Sequence, residues 1–106
     1  MESRRRNRRE MGSLTEFIAR RGHAYEWHGR YISIRMYTSL LSVADALKSK
    51  YGGNYYVCRR GYVWVVSKTE ELLKIYDEVE LLLEPTSNMH RIKRLRPFNY
   101  NKKPPP

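Results

Sequence analysis

Between Tyr31 and Thr38 the chain alternates: Ile32, Ile34 and Met36 fall on one side of an extended segment, and Tyr31, Ser33, Arg35 and Tyr37 on the other. Successive side chains of a strand point to opposite faces, so this strand has one oily face and one aromatic, basic face. Any sheet built on it has a side to bury and a side left open.

The neighbouring segments extend that sheet. Residues 24–27 are a second β-prone run, and His28-Gly29 between the two runs is a turn dipeptide of the right length for a hairpin. A second hairpin follows further on, where residues 54–58 and 62–66 flank Arg59-Arg60-Gly61. Gly61 can take the left-handed conformation that a tight loop demands, and Arg59 and Arg60 project from the tip in either register. The sequence leaves open whether Tyr55 or Tyr56 points inward.

Helical signals separate the hairpins. Ser13-Leu14-Thr15-Glu16 is a capping-box pattern, followed by Leu14, Phe17 and Ile18 on one face and a stop at Gly22. Thr38 or Ser39 can cap a second helix, whose Leu40, Val43, Ala44 and Leu47 recur at helical spacing before Tyr51-Gly52-Gly53. Ser67-Lys68-Thr69-Glu70 repeats the capping box and starts a third helix with the stripe Leu72, Ile75, Tyr76 and Val79 and with acids on its outer face. Residues 88–95 suggest a short basic helix. The order predicts an α+β fold, αββαββα, with a four-stranded antiparallel sheet and helices on one face. The expected organisation is a single domain over residues 13–96, with a basic disordered arm at 1–12 and a Pro/Lys tail at 97–106.

Charge narrows the function. The 106 residues hold 21 Lys and Arg against 11 Asp and Glu, a formal net charge of +10, and such a field attracts polyanions. Residues 1–10 carry five Arg against two Glu and residues 89–106 carry six cations and no acid, whereas residues 69–85 hold one Lys and six acids. The folded part should therefore have one basic and one acidic side. Cys58 is the lone cysteine, which excludes a disulfide or a cysteine-built metal site within one chain and points to a reducing, intracellular compartment. No apolar run approaches the ~20 residues of a membrane span, and neither tail offers the apolar face of an interfacial helix, so no membrane partner is expected.

Catalytic constellations are absent from the sequence. His23, His28 and His90 are scattered, and no HxxxH, DxD or Gly-rich phosphate loop occurs. Glu26 is the one weak catalytic candidate, as a single metal ligand, and Cys58 reads as a small core residue. The strands say more. Tyr25, Trp27, Tyr31, Arg35, Tyr37, Tyr62 and Trp64 mix aromatic groups with cations, which suits stacking on bases or sugars together with ion pairing to phosphates. Arg30, Arg35, Arg59 and Arg60 lie in elements nearly free of acids. Arg4, Arg5 and Arg6, and the series Arg91, Lys93, Arg94 and Arg96, have the character of arms that track a nucleic-acid backbone.

The order and lengths of these elements resemble half of a LAGLIDADG homing endonuclease over roughly residues 13–95. The family signature falls on residues 14–22, where Leu14, Ile18 and Gly22 match and Phe17 is a conservative change. The resemblance implies a sheet facing DNA. It also places the family's metal-binding acid at Arg21, and a cation cannot hold Mg²⁺. Ala19 replaces the second signature acid, and Glu16 replaces the small residue that lets paired helices approach. The expected function is a non-enzymatic nucleic-acid-binding protein, double-stranded DNA favoured over RNA. Its site residues are Arg30, Tyr31, Arg35, Tyr37, Arg59, Arg60, Tyr62 and Trp64 with the basic arms; no cofactor is expected, and a homodimer is left open. The rivals are a Mg²⁺-dependent endonuclease and a protein-interaction module acting through the acidic third helix.

Overall fold

The computed structural model describes residues 14–29 and 31–96. Helix α1 (residues 14–21) leads into strands β1 (His23–Trp27) and β2 (Tyr31–Thr38), helix α2 (Leu41–Tyr51), strands β3 (Asn54–Cys58) and β4 (Gly61–Val66), and helix α3 (Thr69–Val79). Two 3₁₀ segments, Glu80–Leu82 and Asn88–Leu95, follow. This is the predicted αββαββα order. The four strands form one antiparallel sheet in the order β1-β2-β4-β3, so the hairpins join through β2 and β4 at its centre.

Parity decides which side chains meet the helices. Ala24, Ile32, Ile34, Met36, Trp64 and Val66 are buried in one cluster with Ile18 of α1, Leu47 and Tyr51 of α2, and Leu72, Ile75, Tyr76 and Val79 of α3. Trp64 is fully buried, and its indole Nε1 donates to the Gly52 carbonyl at 2.9 Å, so its polar atom is satisfied at the end of α2. A hydroxyl chain ties the helices together. Tyr51 donates to Glu78 Oε1 at 3.1 Å, which leaves its oxygen to accept from the Thr15 hydroxyl at 3.2 Å.

The hairpins differ at their turns. His28 and Gly29 both adopt left-handed backbone, with φ of 53° and 68°, while β1 and β2 pair from Trp27 opposite Tyr31. In the second, Cys58 lies opposite Gly61 and only Arg59 and Arg60 form the loop. Gly61 has φ 128°, and a Cβ there would come within 2.7 Å of the Thr38 carbonyl, so only glycine fits where the loop passes β2. This register turns Tyr55 toward the helices, where its hydroxyl donates to Asp45 at 2.6 Å, and turns Tyr56 outward.

Three local expectations change. The cap of α2 is Leu40, half exposed rather than on the apolar stripe, with its N–H held by Thr38 Oγ1 at 3.2 Å. Helix α3 is capped at Lys68 without a side-chain bond, and Glu70 and Glu71 instead complement the positive end of its dipole. The first capping box begins at Ser13, outside the described residues. The basic segment Asn88–Leu95 is a 3₁₀ helix capped by Ser87, and its Met89 and Ile92 are fully buried against the core.

The hydroxyl of buried Tyr76 lies 2.6 Å from His90 Nδ1, while His90 Nε2 lies 3.0 Å from the Glu84 carbonyl. A carbonyl only accepts, so Nε2 carries the hydrogen and Nδ1 accepts from Tyr76. Burial, and then the negative charge of Glu80, push the Tyr76 hydroxyl above the ordinary 10.0. A raised folded value stabilises the protein below pH 10 and that contribution is lost as pH climbs through the folded value. Urea titrations should therefore show stability falling above about pH 10, with Tyr76→Phe flattening the fall. At neutral pH, Ile92→Ala should cost about 2–5 kcal/mol, lowering the urea midpoint with the slope unchanged. Leu81→Ala, at a residue 96% exposed, should stay within about 0.5 kcal/mol.

Candidate nucleic-acid interface

The sheet face turned away from the helices can be written out from the strand register. Trp27 stands opposite Tyr31, Tyr25 opposite Ser33, and His23 opposite Arg35. Arg35 is in turn opposite Val65, beyond which lies Asn54, and Tyr37 is opposite Val63, beyond which lies Tyr56. Trp27, Tyr31, Tyr37 and Tyr56 are exposed. Arg59 and Arg60 project from the hairpin tip at one end. Cys58, expected in the core, lies at that same end on this face, partly exposed.

Arg35 is held in place by aromatic neighbours. Its guanidinium carbon sits 5.1 Å from the Tyr25 ring centroid and 5.4 Å from that of Trp27, so the side chain runs along the face toward the first hairpin, past Ser33. Each such contact contributes about 0.5–1 kcal/mol at exposed sites. The arrangement leaves Arg35 Nε and Ser33 Oγ buried with no hydrogen-bond partner among the described residues. Unpaired buried polar atoms are costly, and here both belong to open-face residues two positions apart on β2.

Carboxylates are confined to one side of the sheet. Among the described residues every carboxylate belongs to a helix or the segment after α3, apart from Glu26 of β1. Glu26 pairs with Ile32 in the register and so turns to the helix side. There Arg94 reaches it at 2.6 Å and Arg91 at 3.8 Å. The weak catalytic candidate is thus neutralised by two arginines, away from the open face.

The basic series after α3 has a structural use. Asn88 Oδ1 accepts from the Ala24 N–H at 3.0 Å and Arg91 Nη1 donates to the Ala24 carbonyl at 2.9 Å, which closes the outer edge of β1. Arg96 lies 2.8 Å from Asp77 and 3.7 Å from Glu80, and Lys93 is exposed. Arg91, Arg94 and Arg96 therefore latch the last segment to β1 and α3 instead of forming a free arm.

Two of the expected aromatic contacts are corrected. Trp64 has no accessible surface, and Tyr62 points to the helix side, edge-on to Tyr55 with ring centroids 6.0 Å apart. Their residue type suggests an outward face, but the two-residue loop sets the opposite parity. Tyr31, Arg35, Tyr37, Arg59 and Arg60 lie on the open face or its rim, together with Tyr25 and Trp27. Tyr56 was missed, and an assigned hairpin register would have found it. Arg30, Arg4, Arg5 and Arg6 lie outside the described residues.

At the end of α1, Arg21 is exposed, with its guanidinium carbon 5.2 Å from the Phe17 centroid. A cleft of about 570 Å³ beside α1 gathers Glu16, Arg20, His23, Glu84 and Asn88. Among the described residues no three His, Cys, Asp or Glu side chains are grouped to hold a metal ion, and no helix is long and apolar enough to cross a membrane. No protein-family model, curated protein or solved structure matches the chain.

Proposed function

We propose that this protein binds nucleic acid on the open face of its sheet and does not cut it. The observation that carries the reading is the charge partition: a face of exposed aromatic rings with Arg35 at its centre and Arg59 and Arg60 at its rim bears no carboxylate among the described residues. A polyanion approaching that face meets cations and π-surfaces and no described carboxylate, whereas on the helix side cations and carboxylates are interspersed. The arginines of residues 4–9 would add phosphate contacts that carry no sequence information.

The resemblance to a homing-endonuclease half points the same way, because in that family the sheet lies against DNA. Arg21 at the position of the metal-binding acid, and Glu26 held by Arg91 and Arg94, support binding without cleavage. The acidic-helix rival draws less support. Asp77 and Glu80 are engaged by Arg96, and Glu78 accepts from Tyr51, so much of that acidity is used within the fold.

The test replaces the face's cations in the full chain. Arg35 is packed between rings, so Arg35→Gln keeps part of its volume, and it is combined with Arg59→Ala and Arg60→Ala at the exposed tip. If each cation neutralises one phosphate, the triple variant should bind DNA at least about tenfold more weakly at low salt, and its log–log salt slope should shrink by about 2 to 3. Circular dichroism should be unchanged. Wild-type affinity and slope in the variant would remove the face from the binding surface, and EDTA-sensitive plasmid nicking that vanishes in Glu26→Gln would restore the nuclease.

A further inference from the structure

We infer that the ligand of the open face is an unpaired stretch of nucleic acid whose bases stack on Trp27, Tyr31, Tyr37 and Tyr56; this rests on the nucleic-acid reading above and narrows it. These rings are 42%, 59%, 45% and 56% exposed, an unusual concentration of large aromatic surface on one side of a small domain. They form two platforms. Trp27 and Tyr31 face each other across β1 and β2, and Tyr37 and Tyr56 flank Val63 across β4. Tyr31 and Tyr37 are six residues apart on β2, a separation of about 20 Å at ~3.4 Å per residue.

The chemistry of the face favours unpaired over paired bases. In a duplex the base faces are covered by their neighbours, and only edges and phosphates are offered, which are read by Arg, Lys, Asn and Gln side chains. On this face the described groups of that kind are Arg35, already lying against Tyr25 and Trp27, and Asn54, with Arg59 and Arg60 only at the rim. Unpaired bases offer π-faces, and every base has one, so stacking needs no particular sequence. Each ring that stacks contributes about 5- to 150-fold in affinity. Between the platforms Val65 lies beside Arg35, which supplies a fixed positive charge, and this fits a backbone phosphate between two stacked bases. The shared chemistry admits single-stranded DNA and RNA alike, and the hydroxyl-bearing arm of the test separates them.

The experiment titrates the full chain against labelled dT12, U12 and a hairpin duplex at 50 and 200 mM salt. Both single strands, or one of them, should bind at least about tenfold tighter than the duplex. Replacing Tyr31, Tyr37 and Tyr56 together by Ala should weaken single-strand binding by about 100-fold or more at both salt concentrations, and duplex binding by less than about threefold. The corresponding triple change to Phe keeps the rings and should keep the affinity. Independently of any substitution, emission from exposed Trp27 should be quenched by dT12 or U12, while Trp64, fully buried, serves as the internal reference.

Equal or tighter duplex binding, full single-strand affinity in the Ala variant, a loss in the Phe variant equal to that in the Ala variant, or an unquenched Trp27 would overturn stacking. If stacking fails but the arginine triple variant still weakens duplex binding, the nucleic-acid reading stands alone. If neither set of variants alters binding to any oligonucleotide, both readings fall.

Discussion

Strand β2 sets the terms for the whole molecule, because its alternation commits one face of the sheet to burial and leaves the other open. Ile32, Ile34 and Met36 are removed from water on one side, and a slip of one residue would exchange them for Tyr31, Ser33, Arg35 and Tyr37. The strand is central, paired to β1 and β4 on its two sides, so both hairpins inherit its parity. Trp64, opposite Met36, then falls on the helix side. There it fills the space beneath α2 and closes the Gly52 carbonyl at the helix end, which an outward tryptophan could not do.

The same constraint produces the charge pattern. Helices cover only one face, so the acids of α3 and the bases after it are brought together there: Arg96 lies with Asp77 and Glu80, and Arg91 and Arg94 with Glu26. These surface pairs contribute modestly to stability, roughly 0–1 kcal/mol each. Their larger effect is to neutralise the helix side and seal the β1 edge, leaving uncompensated cations around the open sheet. The cost is borne locally by Arg35 Nε and Ser33 Oγ, which have no partner among the described residues, and the rings of Tyr25 and Trp27 offset part of it.

Element order, strand number and the α3 stripe were legible in the sequence, because periodicity is strong wherever one side of an element is buried and the other is polar. Parity in β4 was not. Its alternate positions are Tyr62, Trp64 and Val66 on one side and Val63 and Val65 on the other, and hydrophobicity alone does not choose between two apolar faces. The choice came from the two-residue Arg59-Arg60 loop and the tight approach of Gly61 to β2. The fate of the basic residues 91–96 was likewise hidden, since a run of cations reads as a solvated arm until the tertiary fold supplies Glu26, Asp77 and Glu80 from distant positions. On the open face, the outward placement of Tyr31, Arg35 and Tyr37 was legible from β2 alone, whereas that of Tyr56 needed the hairpin register and the clamp on Arg35 needed the pairing of β1 with β2.

The claim that the open face meets nucleic acid is tested most directly by backbone and indole amide NMR shifts of ¹⁵N-labelled full chain on adding an oligonucleotide. The account predicts changes at Tyr25, Trp27, Tyr31, Arg35, Tyr37, Tyr56 and Val63, including the Trp27 indole, with the Trp64 indole and the outer side of α3 still. Shifts concentrated on α3 and the Asn88–Leu95 segment, with the Trp27 indole unmoved, would contradict it.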